Sequence, residues 1–370
     1  MTDRLVIYEN RPGLSSDNPH NAMDQVNRFF PTMPALLRGV SRSFYLSIRL
    51  LPGRLRQPVA VGYLLARASD TLADTADLPP DERRDMLESW TEGIEGHNTG
   101  SAAAARLAAS FGPLQRDTQE RALIEALPQC LSWLEELPSA DRADIRAVLR
   151  HITYGQALDI ERFDRRSPLR ALDSAAQLDE YTYLVAGSVG EFWTDLCFRH
   201  VRDFARLPRP EMRELGRAYG KGLQLVNILR DAGSDLAAGR CYFPAEELAQ
   251  AGLRPQDILA KPERFEPVWQ RWHAQAGRDL DLGMQYADAV NGRRVRAASA
   301  LPALLGARTL DLLRAAGPGR LRQPVKMARH EVRSILARLA FTLAGRAPLQ
   351  RSYRRLRGGE PATGWDNPRP

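Results

Sequence analysis

Two pairs of aspartates stand out because each pair is spaced by four residues. The first is Asp70 and Asp74 in the segment DTLAD, and the second is Asp231 and Asp235 in the segment DAGSD. Residues i and i+4 of an α-helix lie on one face, one turn apart, where two like charges repel each other. If two such helices face each other, four carboxylates converge and suit a hard divalent cation such as Mg²⁺, which holds substrate phosphates. The spacing therefore predicts a site for Mg²⁺ and a phosphorylated substrate.

The first pair belongs to a polar stripe on a helix that is otherwise apolar. Four residues recur at positions i, i+4, i+7 and i+11: Tyr63, Arg67, Asp70 and Asp74. A buried polar stripe is costly unless its groups find partners, and Mg²⁺ with diphosphate would supply them. The planar guanidinium of Arg67 can chelate phosphate. The hydroxyl groups of Ser41 and Ser43 could donate hydrogen bonds to the same ligand.

The second pair belongs to a similar stripe. Oxygen-bearing side chains recur at positions i, i+3, i+7 and i+11: Gln224, Asn227, Asp231 and Asp235. Arg230 and Arg240 flank this face. The second helix therefore offers both oxygen ligands and cationic groups.

The segments that carry these residues read as helices. From about Ala22 the chain is rich in Ala, Leu, Arg, Glu and Gln, and short breaks at Pro and Gly separate the helical stretches. We find no convincing alternating strand and no glycine-rich strand–loop–helix phosphate motif, which weakens Rossmann and P-loop interpretations. The pattern predicts an all-α helical bundle with a central cavity. We divide the chain into a polar N-terminal arm (1–21), a catalytic domain (22–345) and a basic, flexible C-terminal tail (346–370).

The composition narrows the class of protein. The three cysteines, Cys130, Cys197 and Cys241, lie far apart in the sequence, which argues against a disulfide framework and a zinc site. The first residues do not show the basic and apolar regions of a signal peptide, and no apolar run approaches the roughly 18 residues of a membrane span. We therefore expect a cytoplasmic protein.

The positive charge is concentrated near the C-terminal end. The formal net charge of the chain is +7, and residues 320–357 carry eleven Lys or Arg against one acid, Glu331. Nucleic acid, anionic lipid head groups, and a diphosphate or nucleotide 2′-phosphate are three possible partners for such a segment.

Four segments carry a resemblance to a known family: SRSFYLSIRLLP, ARASDTLADT, YTYLVAGSVGEFW and GLQLVNILRDAGSDLAAGRCYFP. Together they resemble the squalene/phytoene synthases, the head-to-head prenyl synthases of the all-α isoprenoid synthase fold. The resemblance extends from about Phe29 to about Leu339. Its most specific part is the aspartate motif from Asn227 to Asp235, followed by Gly-Arg and an aromatic-Pro pair.

The resemblance implies roles for individual residues. The Mg²⁺ ligands that hold the prenyl diphosphates would be Asp70, Asp74, Asn227, Asp231 and Asp235. Diphosphate contacts would come from Ser41, Arg42, Ser43, Tyr63, Arg67 and Arg230, with Gln224 beside them. Tyr181 falls where the family places a tyrosine thought to steer proton removal and cation chemistry. Gly187 and Gly190 fit close helix approach or room for a prenyl chain.

The resemblance also implies an activity. We expect two farnesyl diphosphates to condense to presqualene diphosphate, which is then rearranged and reduced by NADPH to squalene. The segment around Lys326 and Arg329 resembles a basic element near the nucleotide phosphates of squalene synthases, so these residues and Arg240 are candidates for NADPH binding. Alternatively, the reaction yields presqualene diphosphate, hydroxysqualene, or dehydrosqualene or phytoene, without reduction. A third interpretation is a catalytically silent helical protein that uses its basic end, but the intact aspartate motifs argue against it.

The basic segment predicts a contact with a membrane. Several apolar residues are interspersed among its arginines: Ile335, Leu336, Leu339, Phe341 and Leu343. Because an insoluble C30 hydrocarbon must leave into lipid, we expect peripheral binding at the inner face of the membrane. We expect no nucleic-acid partner, and a monomer or weak homodimer.

Overall fold

The computed structural model describes residues 33–41, 44–75, 78–96, 100–163, 169–323, 325–342 and 346–358. The predicted N-terminal arm lies outside these ranges, as do the two predicted diphosphate contacts Arg42 and Ser43.

Helices dominate the first half of the described chain. They are α1 (Met33–Ser41), α2 (Phe44–Leu50), α3 (Gly53–Ala73), α4 (Pro80–Glu95), α5 (Gly100–Phe111), α6 (Thr118–Glu125), α7 (Leu127–Glu135) and α8 (Ser139–Arg162). The first aspartate pair lies at the C-terminal end of α3, because Asp70 is in its last turn and Asp74 directly follows it.

The second half is also helical. Its elements are β1 (Arg170–Ala171), α9 (Ala175–Thr182), a π-helix (Tyr183–Gly187), α10 (Ser188–His200), α11 (Arg209–Ala237), β2 (Arg240–Cys241), α12 (Ala245–Gln250), α13 (Pro262–Ala289), α14 (Arg293–Ala316), α15 (Arg329–Thr342) and α16 (Arg346–Leu356). Short 3₁₀ turns cover Pro255–Asp257 and Pro318–Arg320. The second aspartate pair lies in the last two turns of α11, and the predicted all-α class is confirmed.

Two hydrophobic clusters hold the bundle together, and each of them anchors one aspartate helix. The first cluster includes Leu64 of α3 and Trp90 of α4. The second includes Leu229 of α11 and Trp269 of α13. Because the apolar sides of α3 and α11 pack into different clusters, their polar stripes are left at the boundary between the clusters.

The amphipathic pattern of α11 explains how it presents its acids. Leu225, Val226, Ile228, Leu229 and Ala232 are buried. The acidic residues alternate with these apolar residues in the sequence and therefore lie on a different face of the helix. This is expected for an amphipathic helix at the edge of a core.

A short parallel strand pair fixes the chain that leaves α11. Arg170 pairs with Arg240, and Ala171 pairs with Cys241. Gly239 precedes this pair with φ of +85°, a left-handed conformation that favours glycine. The sequence analysis found no strand here because two residues are too few to show an alternating pattern. The pairing matters for the site, since it determines where Arg240 lies.

The predicted central apolar cavity is present, with a volume of about 240 Å³. Residues of α2, α3, the π-helix, α10, α11, α13 and α14 form its wall, among them Ile48, Val185, Trp193, Tyr219 and Leu223.

Glycines allow the segment from the π-helix into α10 to cross α11 at close range. A Cβ atom added at Gly190 would lie 1.9 Å from the carbonyl oxygen of Gly216. One added at Gly220 would lie 2.1 Å from the carbonyl oxygen of Ala186. Gly190 therefore permits close helix approach, and it also lines the apolar cavity.

The structure differs from the predicted flexible tail over residues 346–356. This segment forms α16, whose Leu349 and Tyr353 are buried in the second cluster. The Tyr353 hydroxyl donates to Asp281 at 2.8 Å, and Arg357 donates to the carbonyl oxygen of Gly277 at 2.6 Å. The helix is held because its apolar positions contact α13 and α14, whereas its arginines remain at the surface.

Within the described ranges, no helix combines the length and the apolar character that crossing a bilayer requires.

We predict that Gly190→Ala destabilises the protein, whereas Gly62→Ala does not. The added methyl group at Gly190 would collide with the backbone of α11, and overpacking of this kind costs about 1–3 kcal/mol or more. An alanine at Gly62, inside α3, would meet its nearest neighbour, Phe192, at 3.5 Å, an ordinary contact. Thermal unfolding of both variants checks this; an unchanged melting temperature for Gly190→Ala would show that the helices can separate at no cost.

Candidate active site

A polar cavity of about 370 Å³ lies at the boundary between the two hydrophobic clusters. Helices α3, α8, α9 and α11 and the chain around β2 form its wall. It brings together ten of the residues singled out in the sequence: Arg67, Asp70, Asp74, Tyr181, Gln224, Asn227, Arg230, Asp231, Asp235 and Arg240. Two residues from distant parts of the chain, Gln156 and Asp159, also line it.

Arg240 lies among three carboxylates that come from three different helices. Its Nη1 atom is 3.6 Å from Asp74 Oδ1 and 3.6 Å from Asp159 Oδ2, and its Nη2 atom is 3.3 Å from Asp235 Oδ1. Burial alone lowers the pKa of this guanidinium, but Tyr242, Asp159 and Asp235 outweigh burial and raise it. Arg240 is therefore the internal cation that links α3, α8 and α11.

Two of the other three arginines of the cavity wall, Arg230 and Arg67, form ion pairs with nearby acids. Arg230 forms a bidentate pair with Asp231, with Nε–Oδ1 at 2.9 Å and Nη2–Oδ2 at 2.5 Å. Arg67 donates to Glu120 and lies 3.9 Å from Asp70. Both guanidinium groups are partly accessible and border the cavity, so both could also contact an anionic ligand.

Helix α8 adds two polar groups that the sequence analysis did not single out. Gln156 donates its amide to Asp70 Oδ1 at 2.5 Å. Asp159 accepts a hydrogen bond from the Tyr242 hydroxyl at 2.7 Å. The signal was present in the sequence, because Gln156 and Asp159 are polar residues three positions apart in α8 and therefore lie on the same side of the helix.

Two tyrosines are stacked against each other at the wall of the cavity. The rings of Tyr181 and Tyr242 have centroids 5.0 Å apart with an interplanar angle of 23°. Their hydroxyl oxygens are 3.5 Å apart, which extends the contact of Tyr242 with Asp159 towards Tyr181. Burial raises the pKa of both phenols, so both are neutral hydroxyl groups near neutral pH.

Three acids of the cavity hold their protons more strongly than ordinary aspartates. The pKa values of Asp70, Asp159 and Asp235 are each raised to about 6, first of all by burial. The neighbouring acid Asp74 raises all three further, whereas Arg67 opposes the shift at Asp70 and Arg240 opposes it at the other two. The wall of the cavity as a whole has five aspartates against four arginines, a formal charge of −1 when all are ionised.

The side chains of the cavity have the chemistry that a divalent cation with a phosphorylated ligand needs, but in the described structure the acids are arranged around Arg240 rather than around one metal position. Several buried polar atoms have no hydrogen-bond partner in the described structure, namely Gln156 Oε1, Arg67 Nε and Arg240 Nε. Gln156 Oε1 could accept a hydrogen bond from a water molecule bound to the cation, and Arg67 Nε and Arg240 Nε could donate hydrogen bonds to phosphate oxygens. Within the described ranges, no three Asp, Glu, His or Cys side chains are close enough together to share one ion, and Arg240 lies between three of the acids.

Two predicted diphosphate contacts are not among the residues of the cavity wall. The Ser41 hydroxyl donates to the carbonyl oxygen of Leu37 in its own helix, and the Tyr63 hydroxyl donates to Val40 at 3.2 Å. Burial raises the pKa of Tyr63 to about 12. The Tyr63 hydroxyl is thus used in a tertiary contact between α3 and α1, which helical spacing alone does not reveal, whereas the Ser41 hydroxyl is used within α1.

The candidates for binding NADPH are divided between two places. Arg240 lies in the acidic cavity, whereas Lys326 and Arg329 are exposed residues before and at the start of α15. The preceding turn passes over α11, since a Cβ atom added at Gly233 would lie 1.7 Å from the carbonyl oxygen of Leu321. Neither Lys326 nor Arg329 lines the polar cavity.

Solved structures with the same arrangement of helices define the fold. The complex of TcSQS with the ligand BPH1237 superimposes with a TM-score of 0.70 at 21% identity, covering 92% of this chain and 94% of that one. A dehydrosqualene synthase complex gives 0.57 at 21% identity, covering 87% and 99%. Squalene synthase HpnC from Alicyclobacillus acidocaldarius gives 0.53 at 20% identity, covering 81% and 98%. The protein therefore has the all-α fold of the isoprenoid synthases.

The family follows from the sequence match. The family model described as "Squalene/phytoene synthase" matches residues 37–331. This chain belongs to the squalene/phytoene synthase family, as its four sequence segments predicted.

Curated relatives in this family differ in their names. The chain is 30% identical over 319 residues to presqualene diphosphate synthase of Rhodopseudomonas palustris, covering 83% of this chain and 97% of that protein. It is 29% identical to squalene synthase of Saccharomyces cerevisiae, covering 62% and 48%. It is also 29% identical to the bifunctional lycopene cyclase/phytoene synthase of Arthroderma gypseum, covering 63% of this chain but 37% of that protein, little more than a third of its length.

We predict that Arg240→Gln lowers the melting temperature of the metal-free protein and enlarges the stabilisation given by Mg²⁺. The variant removes the cation that faces Asp74, Asp159 and Asp235, and an uncompensated buried charge typically costs about 3–5 kcal/mol. Differential scanning fluorimetry with and without millimolar Mg²⁺ measures both effects. Arg278→Gln, at an exposed arginine of α13, is the matched control. A Mg²⁺ response no larger than that of the wild type would contradict the balance of charge inferred here.

A second prediction concerns pH. Carboxylates bind a cation in their deprotonated form, so stabilisation by Mg²⁺ is expected to increase between pH 5 and 7, with a midpoint near 6. Without metal, the raised pKa values have the opposite effect: the folded state holds extra protons, so its stability falls as pH rises from about 4 through 6. Melting curves across this range, with Asp85→Ala at an exposed aspartate of α4 as the matched control, check both signs. A midpoint below pH 5 would contradict the raised pKa values.

Proposed function

We propose that this protein catalyses the head-to-head condensation of two prenyl diphosphates, with farnesyl diphosphate as the substrate. The observation that supports this proposal most directly is that two cavities, one apolar and one acidic, lie next to each other along the same helices. On α11, Leu223 lines the apolar cavity and the next residue, Gln224, lines the acidic one. On α3, Val59 lines the apolar cavity, and Arg67 and Asp70 line the acidic cavity. A prenyl diphosphate has the matching division into an apolar chain and an anionic head.

The acidic cavity has the groups needed for diphosphate to leave. Mg²⁺ held by the carboxylates of α3 and α11, with Asn227, would neutralise the charge that develops on the leaving group. Arg67 and Arg230 border the cavity and can donate to diphosphate oxygens as their ion pairs exchange. Gln224 and Asn227 bond to each other at 3.3 Å and supply further amide groups on the same face. Such groups act most strongly on charge in a site from which water is largely excluded.

The apolar cavity suits the other half of the reaction. Loss of diphosphate leaves an allylic carbocation, which water would capture. The wall of the apolar cavity is mainly hydrophobic side chains and glycine, with Ser47, Ser299 and two tyrosines as its hydroxyl groups. In the wall of the acidic cavity, Tyr181 and Tyr242 present neutral hydroxyl groups rather than phenolates, so they can orient the carbocation by their dipoles without capturing it.

We propose presqualene diphosphate as the product. This choice rests on the relative of which the chain covers 97%, whose name is presqualene diphosphate synthase. Reduction of this product to squalene by NADPH is the second candidate, favoured by the matches to squalene synthases. Lys326 and Arg329 lie away from the polar cavity wall, so a nucleotide bound there would have to reach the reaction from the side of α15.

Product analysis by mass spectrometry tests the proposal. The full chain is incubated with farnesyl diphosphate and Mg²⁺, with and without NADPH. We expect presqualene diphosphate under both conditions. Squalene formed when NADPH is present would select the second candidate, and dehydrosqualene formed without NADPH would select the alternative that ends in proton loss. Absence of any C30 product would contradict head-to-head condensation of farnesyl diphosphate.

We predict that Asp231→Ala and Asp70→Ala each reduce turnover by roughly 10²–10³-fold or more, because each removes a carboxylate that would hold the cation that neutralises the leaving diphosphate. Circular dichroism should show a helical content near that of the wild type. Asp85→Ala, at an exposed aspartate of α4, is the matched control and should retain full turnover. Retained turnover in either cavity variant would remove that residue from the site.

A further inference from the structure

One aromatic side chain occupies the space between the apolar cavity and helix α13. The ring of Tyr219, on α11, lines the cavity on one side. On its other side the ring lies against Gly283 of α13, because a Cβ atom added at Gly283 would be 2.2 Å from the ring atom Cδ2. Gly283 is buried and is not part of the cavity wall. Tyr219 therefore separates the cavity from the backbone of α13.

A hydrogen bond holds the ring of Tyr219 in this position. Its hydroxyl group donates to the carbonyl oxygen of Ser299 in α14 at 2.8 Å. The residue thus has its backbone on α11, its ring against α13 and its hydroxyl group bonded to α14. Moving the ring aside would break this hydrogen bond and leave a void in a closely packed interior. Tyr219 is therefore a fixed part of the cavity wall.

Tyr219 lies on the part of α11 that leads away from the acidic cavity. Gln224 lines the acidic cavity, the preceding residue Leu223 lines the apolar cavity, and Tyr219 lies one turn further back along the helix. At a rise of about 1.5 Å per residue, Tyr219 is about 12 Å along the helix axis from Asn227. This length is of the same order as an extended farnesyl chain. A prenyl chain with its diphosphate in the acidic cavity would therefore bring its last isoprene unit near Tyr219.

We propose that Tyr219 limits the depth of the apolar cavity and thereby selects farnesyl over longer prenyl chains. This inference rests on the proposed function and names the residue that sets the length of its substrate. A geranylgeranyl chain has one more isoprene unit, which would have to occupy the volume of the Tyr219 ring. Glycine at position 283 is part of the arrangement, since a larger side chain there would displace the ring towards the cavity.

The role of Tyr219 is steric rather than chemical. Its hydroxyl group is already bonded to Ser299, so the group that a prenyl chain meets is the apolar ring. Phenylalanine at position 219 would keep that ring, whereas alanine would remove it and join the cavity to the space beside Gly283. Alanine at position 283 would act in the opposite direction. The depth of the cavity can therefore be changed in either direction from the two sides of one ring.

The test measures how the full chain, with Mg²⁺, binds two unreactive substrate analogues, farnesyl and geranylgeranyl S-thiolodiphosphate. Isothermal titration calorimetry gives the ratio of their dissociation constants. In the wild type the farnesyl analogue should bind roughly tenfold more tightly, because even one methylene in an apolar pocket can change discrimination to this extent. Tyr219→Ala should shift the ratio about 30-fold in favour of the geranylgeranyl analogue, since it makes room for a whole isoprene unit. Tyr219→Phe should leave the ratio close to that of the wild type.

A variant on the other side of the ring tests the same depth with the opposite sign. Gly283→Ala should shift the preference from farnesyl towards geranyl S-thiolodiphosphate by roughly tenfold. The double variant Gly283→Ala/Tyr219→Ala should lose this effect, because no ring remains to be displaced. Tyr154→Ala, at an exposed tyrosine of α8, is the matched control and should change neither ratio. If Tyr219→Ala fails to fold, as judged by circular dichroism, Tyr219→Leu, which also shortens the side chain, replaces it.

The outcomes separate this inference from the proposed function. If both analogues bind but the ratio is unchanged in the folded Tyr219→Ala or Tyr219→Leu protein, Tyr219 does not select chain length, while the proposed function stands. An equal shift in Tyr219→Phe also overturns the inference, because the hydroxyl group would then be responsible. If the wild type binds neither analogue, the proposed function itself is contradicted, and selection by Tyr219 falls with it.

Discussion

The contact of one arginine with three aspartates is the constraint on which the site depends. Asp74, Asp159 and Asp235 come from α3, α8 and α11, and like charges of this kind separate unless a cation lies among them. Arg240 supplies that charge from a neighbouring strand. It opposes the rise in pKa that burial causes at Asp159 and Asp235, although their pKa values remain raised to about 6. The wall of the cavity keeps a formal charge of −1, with five aspartates against four arginines.

The rest of the bundle keeps this arrangement in place. Because α3 and α11 are anchored in separate hydrophobic clusters, neither helix can rotate its acids away without losing buried apolar contacts. The strand pair after Gly239 fixes the backbone of Arg240. The glycine crossing at Gly190 and Gly216 brings the π-helix segment close to α11, so that the apolar cavity directly follows the acidic one along the same helix.

The sequence predicted the parts of the site that depend on helical period, and it missed the parts that depend on tertiary contact. Spacing alone placed both aspartate pairs on single faces and gave the all-α class. Asp159 was missed because it has no acidic partner four residues away; its partners are Arg240 and Tyr242, about 80 residues further along the chain. Ser41 and Tyr63 had suitable chemistry, but the Ser41 hydroxyl bonds within α1 and the Tyr63 hydroxyl bonds from α3 to α1. The sequence of α16 shows a helical period, since Leu349, Tyr353 and Leu356 recur at i, i+4 and i+7. A flexible tail was predicted instead, because the many arginines of this segment were given more weight than the apolar residues.

The uneven distribution of charge follows from the same constraint. The chain has a surplus of positive charge, yet the eleven basic residues of 320–357 belong to α15, α16 and their flanking turns rather than to the wall of the acidic cavity. If those arginines lined the acidic cavity, they would neutralise its carboxylates and lower their pKa values. Keeping them on a separate face preserves the acidic character of the cavity. One helical bundle can therefore carry an acidic cavity and a basic surface at the same time, because different helices present the two.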